Sequence, residues 1–103
     1  TTGYDSIWMG VPFVTWPGDA LVSRMGRIIL KNVGLDELIA DTPEAYVDIA
    51  VALSRDLPRL KALRANLRER MQASSLMDAP RFARNLERAF RGMWRRWTNV
   101  GAA

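Results

Sequence analysis

Thr1-Thr2-Gly3-Tyr4-Asp5 sets two hydroxyls and a carboxylate within little more than one potential helical turn. A helix N-terminus presents N–H groups that lack intrahelical acceptors, together with a partial positive charge, and so suits a phosphate. Threonine hydroxyls add donors there without adding charge. The carboxylate of Asp5 repels phosphate but accepts hydrogen bonds from sugar hydroxyls, as an acid does for ribose in dinucleotide-binding folds. Thr1 and Thr2 thus suit a pyrophosphate and Asp5 a ribose, the two parts of a sugar nucleotide's polar stem. The same residues also read as a capping box, with Thr2 as N-cap and Asp5 at the third helical position reaching back to a free N–H. On spacing alone both readings stand.

The element that must carry these residues is a short helix over about 3–9, ended by Gly10. Val11-Pro12-Phe13-Val14-Thr15-Trp16 follows, an apolar run with β-branched and aromatic members and no polar alternation. That pattern predicts a strand buried on both faces, as in a parallel sheet. Pro17-Gly18 stops it, and Asp19 is placed to cap a helix over about 20–32 with Leu21, Met25, Ile28 and Ile29 on its inner face. Gly34 is a stop signal, and Leu38-Ile39-Ala40 is a candidate for a brief second strand.

Beyond residue 41 the chain reads as helical. Thr42-Pro43-Glu44 starts a helix to about Ser54 that buries Tyr46, Ile49, Ala50 and Leu53. Asp56-Leu57-Pro58 starts another to about Met71, with Leu60, Leu63, Leu67 and Met71 at core spacing, and Asp78-Ala79-Pro80 starts a last one to about Thr98. In that last helix Phe82, Leu86, Phe90, Met93 and Trp97 form an apolar stripe. One or two short parallel strands followed by mostly helices are not a balanced fold, because a buried parallel strand needs neighbours on both edges and helices on both faces. The expected class is therefore α/β, as the tail of a larger domain.

Composition narrows the chemistry. The 103 residues allow one small domain, and the 49% hydrophobic content argues for packing rather than disorder. There is no Cys and no His, which excludes thiolate metal sites and imidazole catalysis from within this chain. No stretch is apolar enough to span a bilayer and the start lacks the layout of a signal peptide, so a cytoplasmic protein with no membrane partner is expected. Residues 1–56 carry four basic and eight acidic side chains, whereas residues 57–103 carry eleven basic and three acidic ones. Arg81, Arg84, Arg88, Arg91 and Arg95 share one helical stripe, which fits nucleic acid phosphates or, more simply, the wet side of an amphipathic helix. A helical interaction module is a third reading, against which the buried-type strand counts.

The ordered run Thr1-Thr2-x-x-Asp5-x-x-Trp8-x-Gly10-x-Pro12-x-Val14-Thr15-x-Pro17-Gly18, with Leu21 and Ser23-Arg24, resembles the C-terminal catalytic part of the O-linked N-acetylglucosamine transferase family, including its plant SPINDLY branch. Gly34-Leu35-x-Glu37-Leu38-Ile39-Ala40, Tyr46-x-Asp48-Ile49-Ala50, Asp56-Leu57, Leu60-Lys61, Leu86-Glu87 and Met93-Trp94 extend the similarity over nearly the whole chain. The resemblance implies a GT-B glycosyltransferase with two Rossmann-like lobes, of which residues 1–40 are a nucleotide-binding βα segment and 41–103 the C-terminal helices. It also implies metal-independent, inverting transfer of a sugar from a nucleotide diphosphate to protein Ser or Thr hydroxyls, without a cofactor. Thr1 and Thr2 occupy the positions that hold the donor pyrophosphate in the family, and Asp5 the position that binds its ribose. The family's His before Thr1, its donor-binding Lys and the N-terminal lobe are not in this chain, which is therefore expected to be inactive alone. Gly3, Tyr4 and Trp16 depart from the animal enzyme's pattern. UDP-N-acetylglucosamine is the first expected donor, with GDP-fucose in the SPINDLY branch and UDP-glucose among more distant relatives that modify Asn. Expected partners are the donor, a protein acceptor and the rest of the same enzyme, including tetratricopeptide repeats. Trp94 and Trp97 are expected to pack on the other lobe.

Overall fold

Two helices of this chain end in the same way, and those endings place everything near the candidate site. The computed structural model describes residues 1–102. Helix α1 spans Thr2–Trp8 and helix α2 spans Met25–Asn32. Past α1, Gly10 N donates to the Ile7 carbonyl at 3.0 Å and Val11 N to that of Ser6 at 2.8 Å. Past α2, Gly34 N donates to the Lys31 carbonyl at 3.2 Å and Leu35 N to that of Leu30 at 2.9 Å. These paired bonds are Schellman closures, which need a left-handed residue at the corner. Gly10 at φ +80° and Gly34 at φ +75° supply it.

Each corner turns its helix into an extended segment, and the two segments meet. Thr15 N donates to the Leu38 carbonyl at 3.1 Å and Ala40 N to the Thr15 carbonyl at 2.7 Å, making a single parallel bridge between Thr15 and Ile39. The expected strand over 11–16 does not form among the described residues, nor does a second at 38–40. The reason is physical: one bridge leaves the outer edges unpaired, and Val11 and Trp16 are each 50% exposed rather than buried on both faces.

Residues 43–73 form two helices separated by one residue. Helix α3 spans Pro43–Arg55 and helix α4 spans Leu57–Ala73. Ala45 N donates to Thr42 Oγ1 at 3.0 Å and Arg59 N to Asp56 Oδ1 at 3.2 Å, so Thr42 and Asp56 cap them as their sequences predict. Helix α5, Ala79–Ala102, is capped in turn by Asp78, whose Oδ1 accepts from Arg81 N at 3.1 Å. The core gathers Ile7 of α1, Ile29 and Leu30 of α2, Val33, Leu35, Leu38, Leu53 of α3, and Leu63, Leu67 and Met71 of α4. No helix among the described residues is long and apolar enough to cross a membrane.

Three expectations about faces and caps are corrected. The helix expected over 20–32 opens as a 3-10 turn at Leu21–Arg24, capped by Ala20 and not by Asp19. Ser23 shapes that loop instead, its Oγ donating to the Ala20 carbonyl at 2.7 Å and accepting from Gly18 N at 3.1 Å. In the helix that follows, Ile29 and Leu30 are buried in the core, while Leu21, Met25 and Ile28 are exposed. In α3 Leu53 is buried and Ile49 half-buried, but Tyr46 is exposed. The stripe Phe82, Leu86, Phe90, Met93 and Trp97 is exposed along its length, because α5 packs on the rest chiefly at its start, against the 3-10 turn Ser75–Met77. Its arginines are likewise exposed.

Candidate functional site

Thr1, Thr2 and Asp5 come together at the start of α1, though not as a capping box. The structure makes Thr1, not Thr2, the N-cap, and the Thr1 side chain accepts no cap hydrogen bond. With the cap one residue earlier, Asp5 lies beyond the third helical position and its backbone N donates to the Thr1 carbonyl at 3.1 Å. That bond stacks the carboxylate one turn above the cap. All three residues are exposed. The N–H groups of Thr2, Gly3 and Tyr4 precede the first helical hydrogen bond and have no acceptor within the helix.

The opposite side and far end of α1 are held firmly. Ile7 is fully buried, and Tyr4 and Trp8 pack against the core. At the C-terminal end Arg68 of α4 donates from Nε to the Trp8 carbonyl at 2.8 Å and approaches Met9 Sδ with Nη2 at 3.7 Å. Its guanidinium carbon stands 4.9 Å from the centroid of the Trp8 ring. One helix thus offers three unengaged polar groups at one end and is clamped at the other.

Two cavities lie near this helix and the paired segments. One, of about 570 Å³, is lined by Tyr4, Asn32, Ser75, Asp78, Arg81 and Phe82, among others, with Ser75 Oγ donating to Asn32 Oδ1 at 2.6 Å on its wall. The other, of about 440 Å³, opens at the carboxyl ends of the two extended segments and includes Asp19, Arg24, Arg27, Lys31, Asp36 and Asp41. In open parallel α/β folds ligands bind outside those carboxyl ends. Neither cavity is lined by Thr1, Thr2 or Asp5. Sequence reasoning passes over Lys31 and Asp41, whose signal is only their place just beyond an apolar run or on the helix between two such runs.

Comparison with protein families matches residues 1–86 to the profile described as Glycosyl transferase family 41. The chain belongs to that family of glycosyltransferases. Within it, the chain is 43% identical over 97 residues to a tomato protein named probable UDP-N-acetylglucosamine–peptide N-acetylglucosaminyltransferase SPINDLY, covering 94% of this chain and 10% of that protein. It is 37% identical over 97 residues to the Caenorhabditis elegans UDP-N-acetylglucosamine–peptide N-acetylglucosaminyltransferase, covering 94% of this chain and 8% of that protein. Among solved structures, a mutant of the Thermobaculum terrenum O-GlcNAc transferase superposes with a TM-score of 0.81 at 42% identity, over 91% of this chain and 18% of that one. The chain therefore spans about a tenth of the length of the curated relatives it matches.

Proposed function

We propose that this chain is part of the nucleotide-sugar lobe of a GT-B protein glycosyltransferase, which moves N-acetylglucosamine from UDP-N-acetylglucosamine onto Ser or Thr hydroxyls. Residues 1–40 form the nucleotide-binding segment and 41–103 the C-terminal helices. Thr1 and Thr2 donate to the donor pyrophosphate, and Asp5 accepts from the ribose hydroxyls. The observation that carries the reading is the first turn of α1, where three unengaged polar side chains face solvent on a helix whose other end is clamped.

The chemistry asked of this piece is electrostatic. Charge grows on the leaving diphosphate as the glycosidic bond breaks, and fixed donors stabilise it without reorganising. A carboxylate beside that diphosphate opposes the effect unless its lone pairs are engaged, and ribose hydroxyls engage them. No residue here serves as general base, so the other lobe must supply it, and the chain alone neither binds donor tightly nor turns over. That lobe is also the proposed cover for Trp94, Trp97 and the rest of the exposed α5 stripe. Tetratricopeptide repeats ahead of it and a cytoplasmic location complete the reading. It involves no nucleic acid.

Calorimetry on the full-length protein with UDP, UDP-N-acetylglucosamine and GDP tests the assignment. UDP binds, and Asp5→Ala weakens it by about 1–3 kcal/mol, the cost of leaving hydroxyls unpaired. Preference for GDP moves the donor to GDP-fucose, as in the family's SPINDLY branch. Binding untouched by Asp5→Ala removes the seat.

A further inference from the structure

We infer that Arg68 is a positioning residue for the donor: from α4 it fixes the tilt of α1 and so the place of Thr1, Thr2 and Asp5. The inference rests on the donor seat proposed above and adds a residue far from it in sequence.

Helix α1 has seven residues and one fully buried side chain, Ile7. A helix that short spans about 10 Å, and although Ile7, Tyr4 and Trp8 seat its inner face on the core, its exit still takes a hold from the outer side. Its exit carbonyls are also among those a helix leaves unpaired. Arg68 addresses both. Its Nε–H satisfies the Trp8 carbonyl at 2.8 Å, and its guanidinium lies against the indole of the same residue at 4.9 Å. One side chain thereby grips both the backbone and the ring of the last residue of α1, and a cation at a helix C-terminus is favourable in itself. Arg68 stands next to Leu67, which is fully buried on the seventeen-residue α4, so the grip is made from a fixed base.

The geometry turns a small rotation into a large error. If α1 tilts by about 10° about its exit, the far end of a helix about 10 Å long moves by about 2 Å. Misplacements of about 1 Å cost up to about a hundredfold in reaction rate where groups must be well oriented. Lysine supplies the charge but neither the planar fork nor the stacking surface.

Calorimetric titration of the full-length protein with UDP, and with GDP in parallel, separates affinity from active fraction. Arg68→Ala is expected to weaken nucleotide binding about tenfold at unchanged stoichiometry, with Arg68→Lys between it and the wild type. Arg59→Ala, which removes a surface arginine paired with Glu37 at 2.6 Å, is expected to leave affinity unchanged. If Arg68→Ala instead lowers stoichiometry and melting temperature while affinity holds, Arg68 is structural and the inference fails. If Asp5→Ala weakens binding and Arg68→Ala does not, the seat stands and the inference falls. If neither changes binding, or neither nucleotide binds the wild type, the seat itself is wrong and the inference goes with it.

Discussion

Gly10 shows how much one missing Cβ can decide. At φ +80° any other L residue is strained, and a Cβ there would stand 2.8 Å from the Arg64 carbonyl oxygen, a backbone atom that cannot step aside. Gly34 has the same left-handed corner at φ +75°, but nothing lies within 4 Å of its would-be Cβ. Gly34→Ala should therefore cost about 1–2 kcal/mol, the left-handed penalty alone. Gly10→Ala adds an overpacking cost of about 1–3 kcal/mol. Thermal shift of the two variants in the intact protein checks this, and equal losses would show that the approach to Arg64 relaxes freely. Both corners are legible as stop signals. Which of them sits against another helix is not, because that contact joins residues far apart in the chain.

At the level of elements, what local chemistry decides can be read and what neighbours decide cannot. Thr42-Pro43 and Asp56-Leu57-Pro58 announce α3 and α4, because a cap and a first-turn proline act within four residues. Thr42→Ala should destabilise α3 by about 1 kcal/mol, seen as faster amide exchange in its first turn. Leu67→Ala should cost about 2–5 kcal/mol in the intact protein's stability, since Leu67 is fully buried where α4 meets the core. The expected capping box falls one residue late, since Thr1 and Thr2 are the same residue type and periodicity does not separate them. The face of α2 differs from its expected one for another reason: the 3-10 turn takes only Leu21 out of phase, and within the unbroken helix Met25–Asn32 the inward side is set by the core that receives Ile29 and Leu30, not by the helix's own spacing. Of the candidate site, the hydroxyls and the carboxylate are legible. The arginine that holds their helix is one among many on a basic stretch.

The chain measures 62 × 30 × 18 Å, with a radius of gyration of 18.0 Å. A compact domain of this length has a radius of about 13 Å. Much of the excess is α5, which carries Phe82, Phe90, Trp94, Trp97 and Val100 at 59–79% exposure along one projecting rod. Exposed apolar surface on this scale seeks a partner. The isolated chain should therefore show concentration-dependent association in light scattering, and Phe90→Glu with Trp97→Glu should return it to monomer. A monomeric wild-type chain would mean that the stripe is solvated as it stands. The apolar spacing of α5 predicts the stripe correctly as a pattern. Periodicity cannot say what covers it, because a covering surface is a property of the neighbour and not of the helix.

Arg68 and Trp8 stand 60 positions apart, whereas α3 and α4 pack as immediate neighbours. Bringing distant residues together costs more chain entropy than closing a short turn, and contacts of long separation are made late. During synthesis Trp8 emerges long before Arg68 exists to receive it. The clamp therefore gives the chain a chronology: α1 is made before α4, and its exit is expected to be clamped only after α4 has left the ribosome and folded.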